Sequence, residues 1–232
     1  MVSRHEATLK KVEDIHRAKP RSAHPLWQGL LNGSFSRAQV CEHLKQFSTI
    51  PLYNHLYHGR LYVICPDPEW RRMLAEVCYE EGTGKLFAGG TSHHELYIRL
   101  GEALGVSREE MYATEFCPEA IALRSYFEYI CGKNILEGIA GHMLGAEAQV
   151  PGTSGRVGHA LQKQFGLPDE AIAFYTVHEE ADEEHSDIGR QLLEKFAPTD
   201  DDLELVVKTV RDMVDMHYCL YDGIYKRLQT IQ

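Results

Sequence analysis

The sequence predicts an all-α protein of a single domain. Apolar residues recur at helical spacing through most of its 232 residues, alternating strand-like runs are nearly missing, and helix-start signals divide the chain at short intervals. With no internal repeat and no low-complexity linker, seven or eight helices around one core is the economical architecture.

Each element has a local reason. A first amphipathic helix is expected over 4–18. Ser36 and Gln39 form a capping box, two side chains that reciprocally satisfy orphan amides, and open a helix over 36–63. Asp67-Pro68 starts the next, 68–81, because proline in a first turn loses no hydrogen bond. A glycine-rich turn from Gly82 to Gly90 separates it from 93–104, and Ser107 with Glu110 makes a second capping box. The segment 118–149 reads as helical with a break near Gly132, and 155–165 follows. Gly166-Leu-Pro168-Asp169 ends that helix and starts 169–195, and Thr199-Asp200 precedes a last helix, 200–228.

Composition excludes several classes of function. The formal net charge is −10, from 24 basic against 34 acidic side chains, and no basic stripe could track a phosphate backbone, so nucleic acid is not an expected partner. No apolar run approaches the ~18 to 20 residues of a membrane span. The N-terminus lacks the apolar core of a secretory signal, which makes the cytoplasm the expected compartment. The six cysteines show no C-x-x-C spacing and read as free thiols.

The strongest chemical signal is His178, Asp182 and His185, at i, i+4 and i+7 of one helix. At roughly 100° per residue the three side chains fall within about 60° of one another, as metal ligands must. They share a face with Phe174, Val177, Ala181 and Ile188, where unpaired charges are costly and a cation offsets them. On 68–81, Glu81 lies near the centre of the stripe formed by Trp70, Leu74, Val77 and Cys78, while Glu80 falls to the side with Glu76. Glu147 lies in the middle of the apolar face of Leu136, Ala140, Met143 and Leu144, where it is neutral, salt-bridged or metal-bound. Either His93 or His94 can turn inward at the start of 93–104. Carboxylate with imidazole suits iron or manganese, and no thiolate motif points to structural zinc or an iron–sulfur cluster.

These residues resemble the haem-oxygenase-like non-haem di-iron oxidases and oxygenases, relatives of the PQQ-synthesis oxidase PqqC and the thiaminase TenA. The likeness rests on Glu81 … His93-x-x-Leu96, Gly145-Ala-Glu147-Ala-Gln149 and His178-x3-Asp182-x2-His185, with His24-Pro25-Leu-Trp27 near the start. It implies one haem-oxygenase-like helical domain over 1–232 and a site of six ligands, Glu81, His93, Glu147, His178, Asp182 and His185. That site would hold two Fe(II) ions, with O2 as co-substrate and an external reductant as electron source. The Gly82 to Ser92 segment is longer than the family pattern. Two Fe(II) ions against three carboxylates leave a charge of about +1, which favours anions, in contrast to the four-Glu, two-His set of ferritin-like sites.

The activity implied is oxidation of a small amine, amino-acid-derived or fatty-acid substrate, by N-oxygenation or oxidative C–C cleavage, in specialised metabolite biosynthesis, with a homodimer as the family expectation. Alternatives are a metal-independent PqqC-like oxidase, a TenA-like hydrolase using Cys78 or Cys131, and a non-enzymatic helical binding protein. A related branch makes para-aminobenzoate from its own tyrosine, and no matching donor tyrosine stands out here. Arg60, Arg124 and Lys133 are candidate carboxylate anchors. His142 and His217 read as core or surface histidines, and His55 and His58, among Tyr53, Tyr57 and Tyr62, as residues lining a polar cavity.

Overall fold

The capping signals decide where the helices start. In the computed structural model these are α1 (Arg4–Ala18), α2 (Pro25–Leu31), α3 (Arg37–Phe47), α4 (Asn54–Ile64), α5 (Pro68–Thr83), α6 (His93–Leu104), α7 (Arg108–Tyr112), α8 (Pro118–Lys133), α9 (Ile135–Ile139), α10 (Ser154–Phe165), α11 (Ala173–Phe196) and α12 (Asp200–Leu228). The structure describes residues 3–150 and 152–231, with the side chains of residues 179–189 and 192 left outside that set. No strand occurs among the described residues.

Ser36 and Ser107 accept from the amides of Gln39 and Glu110, and both capping boxes are closed by the return bond. Asp67 accepts from the amides of Glu69 and Trp70 at the head of α5. The stretch expected as one helix, 36–63, is two, because Pro51 disfavours helical backbone at Ile50 and removes a donor, so the chain turns between Ser48 and Tyr53. The break expected near Gly132 falls at Asn134, whose side chain caps α9 by accepting from the Glu137 amide. A further helix, α2, has Pro25 at its first position and His24 Nδ1 accepting from the Leu26 amide.

The long α12 forms the spine of the bundle, with Val210, Met213, Val214, Leu220 and Ile224 fully buried. Against it runs an irregular continuation of α9, a π-helical stretch from Ala140 to Ala146 followed by a 3₁₀ turn, Glu147–Gln149. Glycines let this wider helix press inward. A Cβ on Gly141 would stand 2.2 Å from Ile130 Cδ1, and one on Gly145 2.9 Å from Met213 Cβ. The result brings α4, α5, α6, α11 and the π stretch around a single cavity in the interior. No helix among the described residues is long and apolar enough to cross a membrane.

Candidate metal centre

Two groups of three donors lie at this cavity, and all but His58 are among its lining residues. In the first, Glu81 from the end of α5, His93 from the start of α6 and His178 from α11 bring one donor atom each within 4.8 Å of the others. His93 Nδ1 lies 3.1 Å from Glu81 Oε1 and makes no hydrogen bond, so the two atoms face the same space without satisfying each other. Ligands held about 2.1 Å from one ion at ordinary angles are about 3.0–3.4 Å apart, and the observed spacing lies in that range.

The surroundings set the orientation of both rings. His93 Nε2 lies 3.2 Å from Glu80 Oε1, and a carboxylate only accepts, so the proton sits on Nε2 and the Nδ1 lone pair turns to the cavity. Glu80 is itself held by the amides of Leu86, Phe87 and Ala88 at 2.6, 3.1 and 3.2 Å. Glu80 therefore does not fall to the side of α5 as the helical pattern suggests. It is 1% exposed because the loop after Gly84 wraps over it. Gly84, at φ +61°, closes α5 where a Cβ would stand 1.9 Å from the Thr91 carbonyl oxygen, so only glycine lets the loop return this closely. His178 Nδ1 donates to the Phe174 carbonyl at 2.6 Å, which leaves its Nε2 for the cavity.

In the second group, Glu147 meets His58 of α4 and His142 of the π stretch. His58 Nε2 and His142 Nδ1 lie 3.2 and 3.3 Å from the same oxygen, Glu147 Oε1, with the two rings stacked at 4.4 Å between centroids. All three residues are buried. His142 and Glu147 are five apart, which on an α-helix would place them about 140° from each other. Here the Glu147 amide donates to the His142 carbonyl in an i to i+5 bond, and that pitch stacks the two side chains on one face.

Electrostatics join the two groups. Burial pushes the Glu81 carboxyl up, but the charges of His93, His58 and His178 outweigh it and hold Glu81 well below the ordinary carboxylate range. Burial disfavours charge on His93, yet Glu81 and Glu80 raise its pKa above 6.5. The ion-pairable, histidine-rich character of both groups fits a transition metal. Each is a two-histidine, one-carboxylate set of the kind that holds non-haem iron(II) with open positions.

Of the residues expected from sequence, Glu81, His93 and His178 are brought together, and Glu147 enters the same cavity. Asp182 and His185 lie outside the described residues. His94 points away and pairs with the Tyr112 hydroxyl. His58 and His142, read as cavity and core residues, are instead donors beside Glu147. His217 lines the cavity too, with Nδ1 donating to the Met213 carbonyl at 2.9 Å. Arg60, Arg124 and Lys133 are engaged at the surface by Glu128, Glu128 and Glu137, so none of them anchors a substrate inside. Burial pushes the thiols of Cys78 and Cys131 up, the wrong direction for a hydrolytic nucleophile.

The fold and these donors describe an all-helical protein equipped to hold transition-metal ions. Residues 41–218 match the family described as iron-containing redox enzyme, and the chain belongs to that family. Among characterised proteins it is similar to the 4-aminobenzoate synthase of Chlamydia pneumoniae, 28% identical over 198 residues, covering 84% of this chain and 83% of that one. It is also similar to the 4-aminobenzoate synthase of Nitrosomonas europaea, 24% identical over 228 residues, covering 94% and 90%. Among solved structures, a CADD-like protein of unknown function from Nostoc punctiforme superposes with a TM-score of 0.79 at 16% identity, over 97% of this chain and 98% of that one. A TenA homologue from Pseudomonas syringae pv. tomato gives 0.75 at 12% identity, over 95% and 92%. These last two establish the haem-oxygenase-like, TenA-like fold.

Proposed function

We propose that this iron-containing redox enzyme holds two iron(II) ions and uses O2 to oxidise a small amine-bearing or aromatic molecule in its central cavity. The observation that carries the reading is the pair of two-histidine, one-carboxylate groups whose donors, all but His58, line one cavity. Glu81, His93 and His178 would hold one ion. Glu147 would hold the other with His58 and His142, and the sequence adds Asp182 and His185 to the ligand set. Bound iron(II) supplies the electrons and the activation of O2.

The chain's own residues do the rest. Glu80 and the Phe174 carbonyl hold protons on the outward nitrogens of His93 and His178, so each ring offers its lone pair inward. Three carboxylates against two divalent ions leave a net positive charge, which favours an anionic reactant. Phe127, Phe174 and Tyr175 wall the cavity with rings and exclude water from the donors. The enclosed space beside the donors is small, about 70 Å³. The relatives named 4-aminobenzoate synthase make an aminated aromatic acid the first product to seek.

Anaerobic loading with Fe(II), followed by metal analysis and O2 uptake with a reductant, tests the proposal. Two ions per chain and reductant-dependent O2 consumption are expected, and a metal content near zero overturns it. Intact-protein mass before and after turnover separates an external substrate, which leaves it unchanged, from oxidation of the chain itself.

A further inference from the structure

We propose that Arg21 is the anchor for a carboxylate on the molecule this enzyme oxidises. The inference deepens the functional reading above by naming the charge of the substrate and the end of the cavity that receives it.

Arg21 occupies the short turn between α1 and α2 and is 7% exposed. Its guanidinium carbon lies 3.7 Å from the centre of the Trp27 ring and 5.6 Å from that of Phe47. These two rings meet edge to face at 5.5 Å and 86°, so the guanidinium is held flat against a rigid aromatic corner. Stacking satisfies the faces of a guanidinium and leaves its N–H edges to find acceptors. None does: no hydrogen bond or ion pair from Arg21 is made among the described residues, and its Nε is buried without an acceptor. A charged group so placed is costly to bury unless something brings it a counter-charge.

Arg21 lines the same cavity as Glu81, His93, Glu147 and His178. Its charge also reaches the cavity residues His217, Tyr175 and Tyr221, whose pKa values it lowers against the effect of burial or together with it. The two acids in the lining, Glu81 and Glu147, lie beside histidines and pair with no guanidinium among the described residues, which leaves Arg21 uncompensated. Much of the lining that Arg21 shares with the donors is apolar, with Ile50, Phe127, Phe174 and Tyr221. Among the described residues no second lysine or arginine joins Arg21 there. One fork-shaped monocation matches one carboxylate in charge and in hydrogen-bond geometry, whereas a phosphate dianion calls for further donors. The ligand this describes is a small acid with an apolar body, its carboxylate on Arg21 and its oxidisable group toward the donor groups. Because the protein as a whole is strongly acidic, attraction for an acid must come from positive charge inside the cavity, and in metal-free protein Arg21 supplies it.

Calorimetric titration of the full chain with three acid and amide pairs tests the anchor. The probes are 4-aminobenzoate with 4-aminobenzamide, octanoate with octanamide, and phenylalanine with phenylalaninamide. The titrations are run on metal-free and on anaerobic Fe(II)-loaded protein. At least one acid is expected to bind metal-free protein about tenfold or more tightly than its amide. Arg21→Gln should abolish that preference while keeping the wild-type Fe(II) stoichiometry, and Arg21→Lys should retain part of it through its charge. The proposal is overturned if no acid outbinds its amide, or if Arg21→Gln keeps the wild-type preference. An acid preference that persists in a protein unable to bind iron would support the anchor and sink the di-iron reading instead. An Arg21 that only braces Trp27 would alter the melting temperature without touching the acid-to-amide ratio.

Discussion

At the scale of single residues, the centre depends on side chains beyond those that would hold metal. Glu80 fixes the tautomer and aim of His93, so Glu80→Gln should weaken iron binding about 10- to 100-fold while leaving the fold intact, measured by anaerobic Fe(II) titration with circular dichroism as control. Affinity unchanged in that variant would show that His93 needs no such partner. His58 and His142 approach the same Glu147 oxygen, and their joint replacement by alanine should reduce the iron content from about two to about one per chain. Protonation competes at the first group. The raised pKa of His93 means that an incoming ion displaces a proton, so affinity should fall by about tenfold per pH unit once the pH drops below that value. A pH-independent affinity between 5 and 8 would contradict this.

At the scale of elements, the π stretch and the loop after α5 make the site. Gly84→Ala places a methyl group against the Thr91 backbone at a positive φ. It should cost about 2 kcal/mol or more in urea unfolding, and it should also lower iron affinity, because the same loop delivers the three amides that hold Glu80. These two elements also mark where sequence reading stops. Capping boxes at Ser36 and Ser107 and the proline after Asp67 are local signals, and the helices start where they say. Glu81 and His178 obey α-helical periodicity and could be found by it, whereas periodicity leaves His93 and His94 equal and the family likeness chooses between them. His142 could not, since α-helical spacing turns it away from Glu147 and only the i to i+5 bond turns it back. Glu80 escaped because its partners are backbone amides of a loop, and Arg21 because a three-residue turn has no period to read. An arginine next to Pro20, three residues before the His24-Pro25 that opens α2, is the trace it leaves in the sequence.

At the scale of the whole molecule, the fold encloses histidines that must stay neutral. Burial, reinforced by the charge of Arg21, lowers His43 to about 3, and burial likewise lowers His217 to about 4. In the unfolded chain both titrate near 6.5, so below that pH the unfolded state takes up protons that the folded state refuses. Stability should therefore fall as the pH drops from 6.5 toward 4, by about 1.4 kcal/mol per unit for each histidine. His93, with its raised pKa, acts in the opposite sense. Its contribution is complete below 6.5 and disappears as the pH rises through the folded value. Replacing His43, which stacks on Phe47 at 5.4 Å, by leucine isolates one of the two depressed groups. Urea unfolding of His43→Leu at pH 7.5 and 5.5 should show a smaller pH effect than the wild type, and an equal one would assign the acid sensitivity elsewhere.

The donors of each group come from stretches of chain far apart in sequence: Glu81 and His178 are separated by about 100 residues, and His58 and Glu147 by about 90. An ion held in either seat would thus clasp two distant loops of polypeptide together, a reversible counterpart of a disulfide in a protein whose described cysteines are all free. Chelation would then do more than silence the enzyme. It would loosen the bundle along α11, and protease should find that helix first.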